Sequence, residues 1–268
     1  MELHHPIGIF DAGIGSYAIV ERVRLRFPSQ DIVYFADRAS FPYGTKTPKQ
    51  LLQSVRVATD FLESQGCAAV ILASNAPSIV VLDELRALAG VPVIGVFPPV
   101  REALDKSSTK QVAILGVKSM VNSAAMQAYV DQHKSKPDLV VLSNASSLVD
   151  LVENFDFLNH PERTQQTVTA FIDQLLATHP SLDVMTMSST HLPWLKSFFE
   201  IAAPQISFLD PADSILTQLE PYISDGSGIT SCLATATAQL SLDAFNQALG
   251  SLGTCLTAKL VETPLPRA

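Results

Sequence analysis

The chain has 268 residues, of which 47% are hydrophobic and only 16% charged, so it can bury a substantial core and general disorder is excluded. Its 18 basic and 26 acidic residues give a net charge of −8, which argues against nucleic acid or a membrane surface as a partner. No apolar run reaches the length of a membrane span, no secretory signal is visible, and three scattered cysteines predict neither disulfides nor a zinc site. We expect a soluble, cytoplasmic protein.

Short runs rich in Val and Ile alternate with helical segments along nearly the whole chain. Such runs, apolar on both faces, are typical of parallel strands covered by helices. They predict nine strands, at residues 7–10, 31–35, 68–72, 91–96, 111–115, 139–142, 184–187, 206–209 and 229–234.

Helix signals lie between these runs. Thr47 supplies a capping hydroxyl, Pro48 fits the first helical position, and Gly66 ends the same segment. Pro77 is predicted to open another helix, which Gly90 ends. The alternation of strand and helix predicts an α/β fold with parallel sheets.

Nine strands are many for one open sheet, so two sheets in two domains are expected. The Pro98-Pro99 pair is the best boundary because paired prolines neither continue a strand nor fit a helix interior. The first domain is predicted to hold residues 1–97 and about 209–224. The second is predicted to hold residues 98–208 and about 225–268.

Polar residues follow several predicted strands, where open parallel sheets bind their ligands. Two of these turns, residues 72–77 and 187–193, resemble each other: each follows an apolar strand and ends in a proline. Two like domains would place both turns at a shared cleft. The strand-end positions are Asp11, Asp37, Ser74, Asn75, Ser143, Asn144, Ser188, Ser189, Thr190, His191 and Asp210.

Three other classes of site fit the sequence less well. Residues 13–18 fit a G-x-G-x-x-A dinucleotide turn with Asp37 as the ribose-binding acid, but Asp11 would lie close to the pyrophosphate, and a tight strand–helix turn explains the glycines equally. A Ser–His–Asp hydrolase lacks its G-x-S-x-G elbow. The histidines have no spacing typical of metal ligands, so no metal is expected.

Six segments, in order along the chain, resemble motifs of glutamate racemases in the aspartate/glutamate racemase superfamily. Their counterparts there are D-S-G-x-G, F-G-D with P-Y-G-x-K, V-A-C-N-T, L-V-E, G-C-T-H-Y-P and a late D-[SP]-A turn. The segments are residues 11–15, 35–37 with 42–46, 72–76, 151–153, 188–193 and 210–212.

The resemblance implies two pseudo-symmetric α/β domains, each a mostly parallel sheet flanked by helices, with a ligand cleft between them. It implies no cofactor, a small acidic amino acid or similar carboxylate as ligand, a possible homodimer, and a role in supplying D-glutamate for peptidoglycan. The implied catalytic positions are Ser74, Ser189, Asp11, His191 and Glu153, and the implied substrate-binding positions are Ala12, Pro42, Tyr43, Gly44, Asn75, Ala76 and Thr190.

The two cysteines that transfer protons in the resembled family fall on Ser74 and Ser189. Because a hydroxyl is a far weaker acid than a thiol, its oxyanion is much harder to form as a base. Racemisation is therefore expected to be absent or very slow. A non-catalytic small-molecule binder or regulatory protein on the same fold is the alternative, and a dinucleotide-dependent enzyme is a third.

Overall fold

The computed structural model describes residues 3–262, which form two units. The first unit contains residues 3–96 and 212–262, and the second is the continuous segment Phe97–Pro211. Each unit has its own parallel sheet flanked by helices. The predicted α/β class and the predicted pair of sheets are therefore confirmed.

The first unit is built on a six-stranded sheet in the order β10-β9-β2-β1-β3-β4, with every neighbouring pair parallel. All residues of the first four strands in the chain are buried, so these strands form the centre of the core. The strands are β1 (Ile7–Asp11), β2 (Ile32–Ala36), β3 (Ala69–Leu72), β4 (Val93–Gly95), β9 (Thr230–Ala234) and β10 (Lys259–Leu260). The helices are α1 (Tyr17–Arg26), α2 (Pro48–Ser64), α3 (Asn75–Val80), α4 (Leu82–Leu88), α12 (Ala212–Leu219) and α13 (Leu242–Ser251).

The second unit has a four-stranded parallel sheet in the order β6-β5-β7-β8. The first unit contains the same order, β2-β1-β3-β4, so the resemblance between the two proline-ended turns reflects a repeated topology. The strands are β5 (Gln111–Gly116), β6 (Leu139–Asn144), β7 (Val184–Met187) and β8 (Ser207–Leu209). The helices are α5 (Val100–Lys106), α6 (Lys118–Val121), α7 (Ala124–His133), α8 (Ser146–Glu153), α9 (Asp156–Asn159), α10 (Pro161–Thr178) and α11 (Lys196–Ala202).

The predicted start of α2 is confirmed in detail. Thr47 and Gln50 form a capping box, in which each side chain accepts a hydrogen bond from the other residue's backbone N–H. Gly66, just past the helix end, has a φ of +78°, which glycine adopts without steric cost. The helix predicted from Pro77 instead begins at Asn75 and breaks at Val81 into α3 and α4.

The predicted domain assignment of the C-terminal segment is wrong for the residues described. β9 pairs along its whole length with β2, and Ile32 lies opposite Thr230, so residues 225–262 belong to the first unit. The carboxylate of Asp31 holds the segment that leads into β9 against the first unit, since it accepts hydrogen bonds from the backbone N–H groups of Ser227 and Ile229. Residues 263–268 of the predicted segment lie outside the described residues.

The remaining boundaries differ from prediction by a few residues. The units divide after Val96 and after Pro211, and β10 was not predicted at all.

Among residues 3–262, no helix is both long and apolar enough to cross a bilayer.

Candidate functional site

Two turns occupy equivalent places in the repeated topology. One follows β3 and begins at Ser74, and the other follows β7 and contains Ser189. Both strands lie inside their sheets, with a paired neighbour on each side. The carboxyl ends of such strands are where parallel sheets bind ligands.

In the second unit, three predicted site residues form a connected chain. The Oγ of Ser189 lies 3.5 Å from Nδ1 of His191, and Nε2 of His191 lies 2.6 Å from Oε1 of Glu153. The His191 side chain is 8% exposed and that of Glu153 is 13% exposed, so solvent screens this pair weakly. The structure thus brings Glu153, at the end of α8, to the turn that follows β7.

The protonation of the imidazole follows from the chemistry of its neighbour. An ionised carboxylate can only accept hydrogen bonds. A neutral His191 therefore carries its proton on Nε2, and this N–H donates a hydrogen bond to Glu153. Nδ1 is then a free base, and it faces the hydroxyl of Ser189.

The turn after β7 also has spare hydrogen-bond donors. The backbone N–H groups of Ser189, Thr190 and His191 have no acceptor among residues 3–262, although all three residues are at least nine-tenths buried. Buried N–H groups normally find a partner. This turn can therefore donate to a negatively charged oxygen, such as that of a carboxylate.

The turn after β3 is held differently. Ser78 Oγ donates to the carbonyl of Ser74 at 2.7 Å and accepts from the N–H of Val96 at 2.9 Å. Asn75 donates to the carbonyl of Val96, while its own Oδ1 is buried without a donor among the described residues. No hydrogen bond within the described part of the chain reaches Ser74 Oγ. The two predicted proton-transfer positions are consequently unequal, because among the described residues only the Ser189 hydroxyl has a hydrogen-bond partner.

The turn after β1 contains Asp11 and Ala12, both buried. Arg38 is also buried and donates from Nη1 to the carbonyl of Ala12 at 2.8 Å, while its guanidinium lies 5.0 Å from the centre of the Phe41 ring. Sequence patterns did not single out Arg38, since a buried arginine has no periodic signature. Its charge lies on the turn that was predicted to bind a ligand.

Asp37 has a structural role in this region. Its Oδ2 accepts from the Tyr43 hydroxyl at 2.9 Å and its Oδ1 from the Thr235 hydroxyl at 3.4 Å. Burial raises the pKa of this carboxyl, and hydrogen bonds including those from Ser40 and Tyr43 partly oppose the rise. Both oxygens accept hydrogen bonds from protein groups, which does not support the alternative in which Asp37 binds a ribose. Pro42 and Gly44, on either side of Tyr43, are exposed.

The cysteines offer no substitute for the two serines. Cys67 and Cys232 are buried, and burial raises the pKa of each thiol to about 12. Cys255 is exposed and lies between α13 and β10. Within the described residues, no cluster of His, Cys, Asp or Glu side chains could hold a metal ion.

The repeated parallel α/β fold, with a polar turn after the third strand of each repeat, agrees with the pair of α/β domains that the motif resemblance implies. The model of the Asp/Glu/Hydantoin racemase family matches residues 17–219. The chain belongs to this family.

Relatives by sequence are glutamate racemases. That of Syntrophus aciditrophicus is 32% identical over 214 residues, which cover 79% of this chain and 77% of that one. That of Sulfurihydrogenibium sp. is 32% identical over 219 residues, which cover 80% and 82%.

Solved structures of glutamate racemases share the fold of this chain. A glutamate racemase isoform from Bacillus anthracis superposes with a TM-score of 0.83 at 22% identity, covering 98% of this chain and 99% of that one. The Thermus thermophilus glutamate racemase, solved in complex with β-chloro-D-alanine, gives a TM-score of 0.76 at 26% identity, with 96% of each chain covered.

Proposed function

We propose that this chain binds a small acidic amino acid, or a similar carboxylate, and racemises it very slowly or not at all. The observation that carries the proposal is the pair of serines, Ser74 after β3 and Ser189 after β7, at the two equivalent strand ends. The family resemblance assigns these positions to the two cysteines that transfer protons. Glutamate racemases among the relatives, and the T. thermophilus complex with an amino-acid analogue, support the ligand class.

A serine base costs far more free energy to form than a cysteine base does. A free thiol has a pKa of about 8.5, whereas an unactivated hydroxyl is closer to water at about 15.7. The difference of about seven units, at about 1.4 kcal/mol per unit, adds about 10 kcal/mol to the cost of forming the base. A two-base reaction meets this cost at Ser74 above all, because no described side chain hydrogen-bonds to that hydroxyl.

Lost hydroxyls support the alternative, a binding-only or regulatory protein. Ala12 and Ala76 carry methyl groups where the resembled motifs carry hydroxyls, and the fully buried Met120 stands at a third such position. The three spare N–H donors of the turn after β7 favour retained binding of a carboxylate. Loss of hydroxyls at these three positions, with the donors of the turn after β7 retained, would weaken binding without abolishing it.

Two measurements on the full chain test the proposal. Calorimetric titration with L-glutamate, D-glutamate and L-aspartate should detect binding of at least one of them. Incubation of each amino acid in deuterated water should give no measurable deuterium at the α-carbon on the time scale of a family enzyme. Rapid exchange would refute the proposed loss of racemisation, and no binding of any acidic amino acid would refute the ligand class.

A further inference from the structure

The chain Ser189–His191–Glu153 has the connectivity of a nucleophile relay. We propose that Ser189 is an acyl-accepting nucleophile and that this chain hydrolyses small activated carboxylic esters through His191 and Glu153. All three side chains belong to the second unit, so the proposed activity needs no residue of the first.

The geometry supplies both contacts that such a relay requires. A serine becomes nucleophilic when a neighbouring base accepts its proton, and that base must be held in one tautomer by a third group. Oε1 of Glu153 lies 2.6 Å from Nε2 of His191 and holds the imidazole proton on that nitrogen. Nδ1 is then unprotonated, and it lies 3.5 Å from Ser189 Oγ. This second distance exceeds the 2.6–3.2 Å of a tight pair, as is common before substrate binds.

The proposed reaction balances with water as the only co-reactant. Ser189 Oγ attacks the ester carbonyl carbon while His191 Nδ1 takes the hydroxyl proton. The tetrahedral intermediate collapses, the bond from carbon to the leaving oxygen breaks, and Nδ1 returns the proton to that oxygen. A water oxygen then attacks the acyl carbon and gives a proton to Nδ1. The bond from that carbon to Ser189 Oγ breaks, Nδ1 returns the proton to Oγ, and the carboxylic acid leaves.

The surroundings favour charge development at this turn. Ser189 is 7% exposed and His191 is 6% exposed, so electrostatic interactions there are stronger than in water. The N–H groups of Thr190 and His191, which no described acceptor uses, are available to a negatively charged oxygen. The burial limits the substrate to a small acyl group.

Ser74 provides an internal comparison. It lies at the equivalent strand end, yet no described residue hydrogen-bonds to its hydroxyl. Acylation should therefore discriminate between two serines in equivalent topological positions. A general reactivity of partly buried serines would label both.

The test uses the full chain with a small alkyl fluorophosphonate and with 4-nitrophenyl acetate. Peptide mass spectrometry should place the phosphonate adduct on Ser189 and leave Ser74 unmodified. Ser189→Ala should abolish labelling, and His191→Gln should slow ester hydrolysis by about 100-fold, the size of a general acid–base contribution. Ser197→Ala, which removes an exposed hydroxyl of α11 in the same unit, should leave both rates unchanged.

Glu153 acts as a positioning residue, and its test separates orientation from folding. Glu153→Gln should slow labelling about tenfold with an unchanged melting temperature, and Glu153→Asp should recover part of the rate because it retains a carboxylate. Glu200→Gln, at an exposed pair with Lys196, is the matched control. Absence of any Ser189 adduct in the folded chain, or unchanged hydrolysis in Ser189→Ala, would overturn the proposal.

Discussion

The hydroxyl of Tyr43 donates a 2.9 Å hydrogen bond to Oδ2 of Asp37, and both residues are about 95% buried. The contact joins the end of β2 to the loop that precedes α2. Because Thr235, just after β9, also donates to Asp37, one carboxyl connects three segments of the first unit. A buried carboxyl that holds segments together in this way has consequences for stability as a function of pH.

Asp37→Asn should stabilise the chain at pH 7. Burial raises the pKa of Asp37 in the folded state, so the folded chain binds this proton more tightly than the unfolded chain does. The stability that the group contributes is therefore present below its unfolded pKa of about 3.9 and is lost as pH rises through the folded pKa. Denaturant unfolding should show an advantage of the variant at pH 7 that shrinks towards pH 4. The exposed Asp173→Asn should show no such trend, and an advantage that grew on acidification would contradict the argument.

Asp183→Ala should destabilise the second unit. Burial would raise the pKa of Asp183, but hydrogen bonds from Ser107, Ser108 and Thr109 outweigh it and hold the pKa at about 2. Its stabilisation is fully present above the unfolded pKa of about 3.9 and is lost as pH falls to about 2. Loss of hydrogen bonds to a charged group should cost about 1.5–3 kcal/mol at pH 7, measured by urea unfolding. A wild-type chain as stable at pH 2.5 as at pH 7 would contradict the assignment.

Ser78→Ala should loosen the turn that begins at Ser74. The Ser78 hydroxyl accepts from the buried N–H of Val96, and its removal leaves that donor unsatisfied. The expected loss of stability is about 1–3 kcal/mol. Ser64→Ala removes a comparable hydroxyl–carbonyl bond at an exposed position and should cost little. Equal effects of the two variants in thermal unfolding would show that the Val96 contact is unimportant.

Restoring both thiols, with Ser74→Cys and Ser189→Cys together, should give weak but detectable α-proton exchange on an acidic amino acid. Neither single variant should exchange, since a two-base reaction needs a group on each side of one carbon. The rate should stay low because hydroxyls at positions 12, 76 and 120 remain absent, and each hydrogen bond to a charged group is worth about 1.5–3 kcal/mol. Deuterium incorporation followed by NMR measures the outcome.

The double variant also separates the two proposed functions. Exchange would show that only the bases are missing, whereas its absence in a variant that still binds the ligand would favour a binding-only protein. Full racemase activity in the unaltered chain would contradict both. The expectation that Ser74 and Ser189 face one another across a cleft stays a prediction, which a crystal structure with bound amino acid would decide.

The strands were predictable because each leaves an apolar run in the sequence, which is clearest where the strand is buried on both faces. All nine predicted strands occur, with ends shifted by up to two residues. β10 was missed because it has only two residues, one of them Leu260, which is 60% exposed. The sheet to which β9 belongs could not be predicted, since an apolar strand can extend either of two parallel sheets.

The site was predictable position by position but not in its contacts. Glu153 and His191 are 38 residues apart, and no spacing rule connects them until the fold brings α8 to the turn after β7. The motif resemblance indicated both residues without indicating that they touch. That no residue among 3–262 hydrogen-bonds to Ser74 Oγ could be found only from coordinates, because motifs treat the two serines as equivalent.

The pairing of β9 with β2 determines the order in which this chain can fold as it is synthesised. The second unit is one continuous segment and has all its strands once residue 211 is made. The first unit begins earlier but must leave one edge of the wholly buried strand Ile32–Ala36 open until Thr230–Ala234 emerges. An open edge of apolar strand invites pairing with other chains. Residues 3–96 thus depend longest on protection from aggregation, although they are synthesised before the second unit.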